Sequence, residues 1–200
     1  MSIVIVNYGL GNIQSVQNMF SYLGFRSEIS NDPSIIRAAS HLILPGVGAF
    51  DHGMKLIQNN HLFDILNEKV LIKKTPVLGI CLGMQLMCKH SEEGTLPGLG
   101  WIDASVIRFR NTSIRVPHMG WNDVHIAKDN KIIQNEESSF YFVHSYHVVL
   151  NNSIDTLLTT NYGDEFVSGF QKENIFGVQF HPEKSHRFGM ALLTNFIHNL

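Results

Sequence analysis

The chain has 200 residues, of which 44% are hydrophobic and 16% are charged, and its formal net charge is −2. A chain of this length and composition is expected to fold as one globular domain over residues 1–200, with a sizeable apolar core. The small net charge argues against a nucleic acid or an anionic membrane as the partner, because both attract strongly basic proteins.

The first half of the chain alternates between predicted strands and predicted helices. Ile3–Val6 is a continuous apolar run, which is typical of a strand buried on both faces. Apolar residues at helical spacing follow it, and Gly24 ends that predicted helix. Such alternation indicates a parallel sheet with right-handed crossovers. Further strands are predicted near residues 25–29, at 41–44 and at 77–80, and a second helix over 54–72.

Beyond Trp101 the pattern changes to short strands and turns. A final helix is predicted from about His186, where apolar residues again recur at helical spacing. We therefore predict an α/β fold with a central, largely parallel sheet and an antiparallel excursion in the second half. The strands predicted there are Ala104–Arg108, 121–126, 140–150, 166–171 and 175–180.

The most informative segment is the predicted strand at 77–80, which leads into Gly79-Ile-Cys81-Leu-Gly83. In a nucleophile elbow, a sharp turn between a strand and a helix exposes the nucleophile, and glycines permit the tight backbone. The helix N-terminus after such a turn would favour the thiolate of Cys81. The alternative interpretation is that Cys81 is an ordinary buried core residue.

A thiol nucleophile needs a base, and the base needs an orienting group. Both residue types are present in Gly177-Val-Gln-Phe-His181-Pro-Glu183. Strand alternation places Gln179, His181 and Glu183 on one side, and the proline favours an extended histidine before it. We therefore interpret Cys81, His181 and Glu183 as a candidate triad, which is defined by geometry and not by chain order. A chance pairing is the alternative, because the chain has 11 histidines.

Acyl chemistry on a thiol also requires hydrogen-bond donors for the oxyanion that develops on the substrate. The amide of Leu82, directly after the candidate nucleophile, is one candidate donor. The glycine-rich turn that contains Gly46, Val47 and Gly48 follows a predicted central strand, and its backbone is the second candidate. The alternative is an ordinary strand-to-helix loop.

Three other functions have weaker support. Gly9 and Gly11 after the first strand resemble a dinucleotide-binding turn, but Gln14 replaces the third glycine of that fingerprint. His144 and His147 are predicted to point to opposite faces of a strand without accompanying thiolates, so no metal site is expected. The third function, a non-catalytic interaction module, is disfavoured because such a module has no need for an intact triad.

The chain has 2 cysteines, Cys81 and Cys88, which we place on one predicted helix and which do not make a disulfide framework. Cys88 is most simply a core residue. Such cysteine usage fits a reducing compartment, and the first residues have neither a basic start nor an apolar run long enough for a signal peptide. We therefore expect a cytoplasmic protein.

Six segments together resemble one family. They are Asn7-Tyr-Gly-Leu-Gly-Asn12, Pro45-Gly-Val-Gly-Ala-Phe50, Gly79-Ile-Cys-Leu-Gly-Met-Gln85, Pro117-His-Met-Gly-Trp-Asn122, Tyr141-Phe-Val-His-Ser-Tyr146 and Gly177-Val-Gln-Phe-His-Pro-Glu-Lys-Ser185. The chain resembles class I (triad) glutamine amidotransferases and, within that class, the glutaminase subunits of imidazole glycerol phosphate synthase. This resemblance implies a three-layer, flavodoxin-like fold with helices on both faces of the sheet.

The resemblance also implies roles for the matching residues. Cys81 is expected to attack the side-chain amide of glutamine, His181 to carry the proton to the leaving ammonia and then to activate water, and Glu183 to orient His181. The segment Gly46–Gly48, which is implied to contribute to the oxyanion hole, is expected to reorient when the partner and its ligand bind. The residues implied to bind glutamine are Gln85, Glu93, Ser145 and Tyr146, and those implied to contact the partner are Asn12, Trp121, Tyr141 and Lys184.

The implied partner is a cyclase subunit with a TIM-barrel fold, which forms a heterodimer with the glutaminase and receives its ammonia. The products, imidazole glycerol phosphate and aminoimidazole carboxamide ribotide, belong to histidine biosynthesis, and no cofactor is implied. Some relatives instead supply ammonia to a cyclase-like partner that builds an amidine on a surface-polysaccharide sugar. Asp123 and the segment 184–189 depart from the histidine-pathway pattern and keep this alternative open.

Overall fold

A computed structural model describes residues 2–134 and 138–200. Twelve strands within these residues form one hydrogen-bonded sheet. They are β1 (Ile3–Val6), β2 (Ser27–Ser30), β3 (His41–Gly46), β4 (Val77–Cys81), β5 (His90–Ser91), β6 (Ala104–Arg108), β7 (His118–Ile126), β8 (Ser138–His144), β9 (Tyr146–Leu150), β10 (Thr156–Tyr162), β11 (Asp164–Lys172) and β12 (Ile175–Val178).

Helices connect and cover these strands. A π-helical turn at Glu68–Ile72 continues the α-helix Phe63–Asn67, and 3₁₀ turns lie at Ser153–Asp155 and Pro182–Lys184. The α-helices are α1 (Ile13–Tyr22), α2 (Pro33–Ala38), α3 (Phe50–Asn59), α4 (Phe63–Asn67), α5 (Leu82–Leu86) and α6 (His186–Asn199).

The main path of the sheet runs in the order β2-β1-β3-β4-β12-β11-β10-β7-β8. Neighbours from β2 to β12 are parallel, and neighbours from β12 to β8 are antiparallel. β1, β3, β4 and β12 are buried throughout, which agrees with the continuous apolar runs that predicted them. The predicted combination of a parallel sheet and an antiparallel second half is confirmed.

A separate apolar core lies on each face of the sheet. On one face, α2, α3 and α4 pack against alternate strand residues such as Val4 and Leu42. On the other face, α1 and α6 pack against the intervening residues of the same strands, such as Ile5 and Ile43. Since successive strand side chains point to opposite faces, each buried strand contributes to both cores. The predicted three-layer arrangement is therefore confirmed.

Two predicted elements are each divided in two. The single helix over 54–72 is divided, because α3 ends at Asn59 and His61 has a φ of 55° before α4 begins. The single strand over 140–150 is likewise two strands, with Ser145 between β8 and β9. In both cases apolar periodicity continues through a backbone break that it cannot register.

Cys88 lies outside the helix on which we predicted it, because α5 ends at Leu86. Its side chain is nevertheless fully buried, and burial raises the pKa of the Cys88 thiol. Within residues 2–134 and 138–200, no helix combines the length and the apolar character needed to cross a bilayer.

Candidate active site

Cys81 ends β4 and is the N-cap of α5, so the chain turns from strand to helix at this residue. Its backbone has φ 54° and ψ −111°, a conformation that is strained for a residue with a side chain. Cys81 pairs in register with Gly46, the last residue of β3, so the turn after β3 lies beside the thiol. The predicted strand–turn–helix elbow is therefore present.

Glycines surround this turn because no side chain fits there. A Cβ at Gly83 would overlap the carbonyl oxygen of Leu44, and a Cβ at Gly79 would lie 2.8 Å from the backbone of Met84. Two further glycines lie in the same packing. A Cβ at Gly46 would lie 2.9 Å from the nitrogen of Gly83, and one at Gly177 would lie 2.7 Å from Cγ of Met84. Helix α5 therefore packs directly on the sheet.

The side chains of His181 and Glu183 form a buried hydrogen-bonded pair. The Nδ1 atom of His181 lies 2.8 Å from Oε1 of Glu183, and the two side chains are 1% and 2% exposed. The strand predicted over 175–180 ends at Val178, however, and Glu183 lies in the 3₁₀ turn Pro182–Lys184. The pairing thus depends on a turn that starts at a proline, and the period-two argument was wrong for Glu183.

The pKa of His181 shows that this residue is charged at neutral pH. Burial lowers the pKa, but the Cys81 side chain and the Glu183 carboxylate outweigh burial and raise the pKa to about 9. Nε2 of His181 is buried without a hydrogen-bond partner among the described residues, whereas Nδ1 is engaged by Glu183. The free nitrogen is therefore the one available for proton transfer.

A cavity of about 470 Å³ opens above Cys81 and His181. It includes most of the predicted site residues, whereas Gly46 and Glu183 are not part of its wall. Another cavity of the same volume lies between α6 and residues 132–134 and 138–140, and its described lining includes Arg187 but neither a thiol nor a histidine. The predicted residues that line the first cavity are Val47, Gly48, Cys81, Leu82, Gln85, Glu93, Ser145, Tyr146 and His181.

The polar groups of this cavity are oriented by hydrogen bonds. Nε2 of Gln85 donates to the carbonyl of Tyr146 at 3.2 Å and to Oε1 of Gln179 at 2.9 Å, which leaves its own oxygen as an acceptor. Oε2 of Glu93 accepts the N–H of Phe50 at 2.9 Å and is thereby held at the start of α3. Cys81, His181 and an acceptor-rich wall suit a small substrate that carries an amide and an ammonium group.

A sequence model of the glutamine amidotransferase class-I family matches residues 4–200. The chain is a class-I glutamine amidotransferase. A curated relative from Methanococcus maripaludis, "Imidazole glycerol phosphate synthase subunit HisH 2", is 52% identical over 98% of both chains. One of the same name from Pseudomonas aeruginosa is 50% identical, also over 98% of both chains.

Solved structures of low sequence identity have the same fold. The PurLQS structure from Thermotoga maritima matches with a TM-score of 0.77 at 17% identity, over 99% of this chain and 98% of that one. A putative GMP synthase subunit from Thermoplasma acidophilum matches with a TM-score of 0.73 at 21% identity, over 98% and 92%. The resemblance to class I amidotransferases is thus confirmed in both sequence and fold.

Two polar residues of this amidotransferase were missed from the sequence. Nε2 of Gln179 lies 3.7 Å from Sγ of Cys81 and can donate to a thiolate. The hydroxyl of Tyr8 is fully buried and donates to the carbonyl of Pro45 at 2.7 Å, just before the glycine-rich turn. Strand alternation had placed Gln179 beside His181, so that signal was present. Nothing near Tyr8 in the sequence indicates a partner 37 residues away.

Three of the four residues predicted at the partner interface form one surface patch. Trp121 is 47% exposed and faces Tyr141 across the β7–β8 ladder. Nζ of Lys184 lies 5.6 Å from the centre of the Tyr141 ring. Asn12 is exposed at the N-cap of α1, where its side chain makes no capping hydrogen bond. Such a half-exposed aromatic patch is typical of an interaction surface.

Proposed function

We propose that this glutamine amidotransferase is the glutaminase subunit of an imidazole glycerol phosphate synthase and takes part in histidine biosynthesis. The observation that carries the proposal is the identity of two relatives named as this subunit, which are 52% and 50% identical to the chain over almost its whole length. The geometry of the cavity supports the glutaminase half of the reaction. The proposed triad is Cys81, His181 and Glu183.

The first half-reaction uses the charge distribution at Cys81 and His181. The thiolate attacks the side-chain amide carbon of glutamine, and a C–S bond forms as the carbonyl becomes an oxyanion. The oxyanion then collapses, the C–N bond breaks, and the imidazolium of His181 gives its Nε2 proton to the leaving nitrogen. Ammonia and a glutamyl thioester result.

The second half-reaction regenerates the thiolate of Cys81. His181, now neutral, removes a proton from water, and the hydroxide attacks the thioester carbon. The C–S bond breaks, and glutamate leaves as the thiolate of Cys81 and the imidazolium reform. Glu183 holds the ring by its Nδ1 atom at 2.8 Å through both steps, so that Nε2 faces the substrate.

Other cavity residues would bind glutamine and stabilise the oxyanion. The amide of Leu82, the first residue of α5, is one proposed donor, and the backbone at Val47 and Gly48 supplies the other. Val47 is 40% exposed and Gly48 has a φ of 106°, so the described residues pack only loosely against this turn. The oxygen of Gln85 and the carboxylate of Glu93 would accept hydrogen bonds from the ammonium group of glutamine.

The proposed partner is a cyclase subunit with a TIM-barrel fold, which would dock on the patch of Trp121, Tyr141 and Lys184. Ammonia is largely protonated in neutral water and then is not nucleophilic. Enclosed passage between two active sites keeps it unprotonated. The backbone N–H of His181 donates to the carbonyl of Tyr141 at 2.9 Å, so the residue that holds the proposed base is bonded directly to β8, the strand that carries Tyr141 of the patch.

A second candidate function is an amidotransferase that supplies ammonia for amidine formation on a surface sugar. The departures at Asp123 and at 184–189 agree with it. Both candidates share the glutaminase chemistry and differ only in the molecule that receives ammonia.

Reconstitution with the cyclase subunit of the same genome and its ribonucleotide substrate tests the proposal. We expect glutamine-dependent formation of imidazole glycerol phosphate, and we expect Cys81→Ala to abolish it while ammonia-dependent synthesis continues. Cys88→Ala is the matched control, since Cys88 is buried away from the cavity. Synthesis with ammonia but never with glutamine in the wild-type complex would contradict the histidine-pathway proposal.

A further inference from the structure

Two buried histidines beside the cavity take no part in the proposed chemistry. His118 begins β7 and His144 ends β8, and the two residues are directly opposite in the antiparallel register. His118 is 2% exposed and His144 is 6% exposed. Nδ1 of His118 lies 2.9 Å from Nε2 of His144, so the two rings share one hydrogen bond.

The proton positions on both rings follow from the groups at the two ends. Nδ1 of His144 lies 2.8 Å from the carbonyl of Tyr146, which only accepts, so Nδ1 of His144 is the donor and its Nε2 the acceptor. At the other end the amide of Asn122 donates to the carbonyl of Asn161 at 2.9 Å and to Nε2 of His118 at 3.2 Å. Both ends therefore require the proton of His118 on Nδ1.

Every bond in this histidine chain (Asn122, His118, His144 and the carbonyl of Tyr146) thus has one donor and one acceptor. This alternation of donors and acceptors in the histidine chain requires both imidazole rings to be neutral. Burial lowers the pKa of His118 to about 4 and that of His144 to about 3, so both rings are neutral at physiological pH. Donors and acceptors aligned in one direction polarise one another and strengthen the series.

Packing fixes the rings as well. His118 stacks between Phe142, at 4.7 Å between ring centres, and Tyr162, at 3.9 Å. Phe109 contacts the ring of His144 at 5.2 Å. Neither histidine can change its rotamer without disturbing this aromatic cluster, so the hydrogen-bond direction is a fixed property of the fold.

The histidine chain ends at the carbonyl of Tyr146, the first residue of β9, next to Ser145 in the break between β8 and β9. Ser145 and Tyr146 line the cavity, and the carbonyl of Tyr146 accepts from both His144 and Gln85. Tyr146 pairs in register with Arg108 of β6, and the N–H of Phe109 donates to the carbonyl of Ser145 at 3.2 Å. The two side-chain donors to the carbonyl of Tyr146 add to this pairing and fix the orientation of that peptide group.

We propose that His118 and His144 are positioning residues, which hold the Ser145–Tyr146 backbone so that it receives the amino-acid end of glutamine. The proposal rests on the proposed function, because it takes glutamine as the occupant of the cavity. It also connects the cavity with Asn122, the neighbour of Trp121 on β7. The histidine chain would thereby transmit the position of β7, which carries Trp121, to the segment Ser145–Tyr146.

A matched pair of substitutions separates this role from simple packing. The side-chain amide nitrogen of asparagine lies where Nδ1 of a histidine lies, and that of glutamine lies near Nε2. His118→Asn therefore retains a donor toward His144, whereas His118→Gln loses it. In the complex with the cyclase, we expect His118→Gln to raise the KM for glutamine about tenfold, as for a buried acceptor left unpaired. His118→Asn should stay within about threefold of wild type, and kcat should change by less than about threefold in both.

Two probes of Cys81 give a second readout. The diazoketone analogue of glutamine must be recognised by its amino-acid end, whereas iodoacetamide need not be. We expect His118→Gln to slow labelling by the analogue and to leave labelling by iodoacetamide unchanged. Equal KM values in the two variants, or a loss of kcat with KM unchanged, would overturn the positioning role.

The wild-type protein provides a test that needs no variant. Nitrogen-15 NMR of the imidazole rings should show neutral His118 and His144, each with its proton on Nδ1. A proton on Nε2 of His144 would overturn the proposal even if both variants failed to fold. A wild-type complex that turned over no glutamine would instead refute the proposed function, and the positioning role would fail with it.

Discussion

Replacement of Glu183 by glutamine tests how the charge of His181 is maintained. The substitution keeps the shape of the side chain and one oxygen near Nδ1, but removes the negative charge. The pKa of His181 is raised from 6.5 to about 9 although burial lowers it. That net shift corresponds to about 3 kcal/mol in favour of the imidazolium, at about 1.4 kcal/mol for each pKa unit.

Cys81 and Glu183 share this stabilisation. A buried hydrogen bond to a charged group contributes about 1.5–3 kcal/mol, against about 1 kcal/mol for a neutral pair. Loss of the charge in Glu183→Gln should therefore cost about 1–2 kcal/mol and lower the pKa of His181 by about one unit. Since the leaving ammonia takes its proton from the imidazolium, activity at alkaline pH should decline earlier.

The assay is the pH dependence of glutamine hydrolysis by the complex with the cyclase. For the wild type, kcat should fall as the pH approaches 9, and in Glu183→Gln the fall should begin about one unit lower. At neutral pH we expect kcat to drop about tenfold or more with little change in KM. Glu28→Gln, an exposed carboxylate on β2, is the control. An alkaline limb that did not move would refute this account of His181.

Three further predictions concern the elbow and its surroundings. Gly83→Ala should lower the free energy of unfolding by about 3 kcal/mol or more, because its Cβ overlaps the carbonyl of Leu44, and urea titration would show a normal midpoint if this packing were misjudged. Tyr8→Phe should lower the same quantity by about 1–2 kcal/mol, since the buried carbonyl of Pro45 loses its donor; no loss would mean that another donor replaces the hydroxyl. The folded pKa of His181 lies above its unfolded value, so its stabilising contribution is complete below pH 6.5 and is lost as the pH rises through 9. The stability difference between wild type and His181→Phe should therefore shrink over that range, and a constant difference would contradict the raised pKa.

Local sequence signals predicted the parts of the site that lie on regular elements. The run that forms β4, followed by glycines on both sides of Cys81, indicated the elbow because strand, turn and helix are adjacent in the chain. The turn at Gly46–Gly48 was found in the same way. The continuous apolar runs of β1 and β3 likewise indicated the buried parallel sheet.

Residues that act through distant partners could not be found in this way. Tyr8 bonds to Pro45, and His118 bonds to His144 only because β7 and β8 are in register. Nothing within a few residues of any of them specifies these pairs. Where periodicity was trusted too far, as for Glu183, the strand ended at Val178 and a 3₁₀ turn began at Pro182, without changing which residue meets His181.

The glycines around Cys81 have a consequence for experiments that substitute every position. Gly46, Gly79, Gly83 and Gly177 have no reactive group, yet each would bring a Cβ within 2.9 Å or less of a neighbouring atom. In a saturation scan these positions should tolerate substitution as poorly as Cys81 itself. The scan would therefore show four intolerant glycines, none with a reactive side chain, around the single reactive residue Cys81. Efforts to change substrate preference should keep these glycines and vary the outer wall of the cavity, for example at Val47.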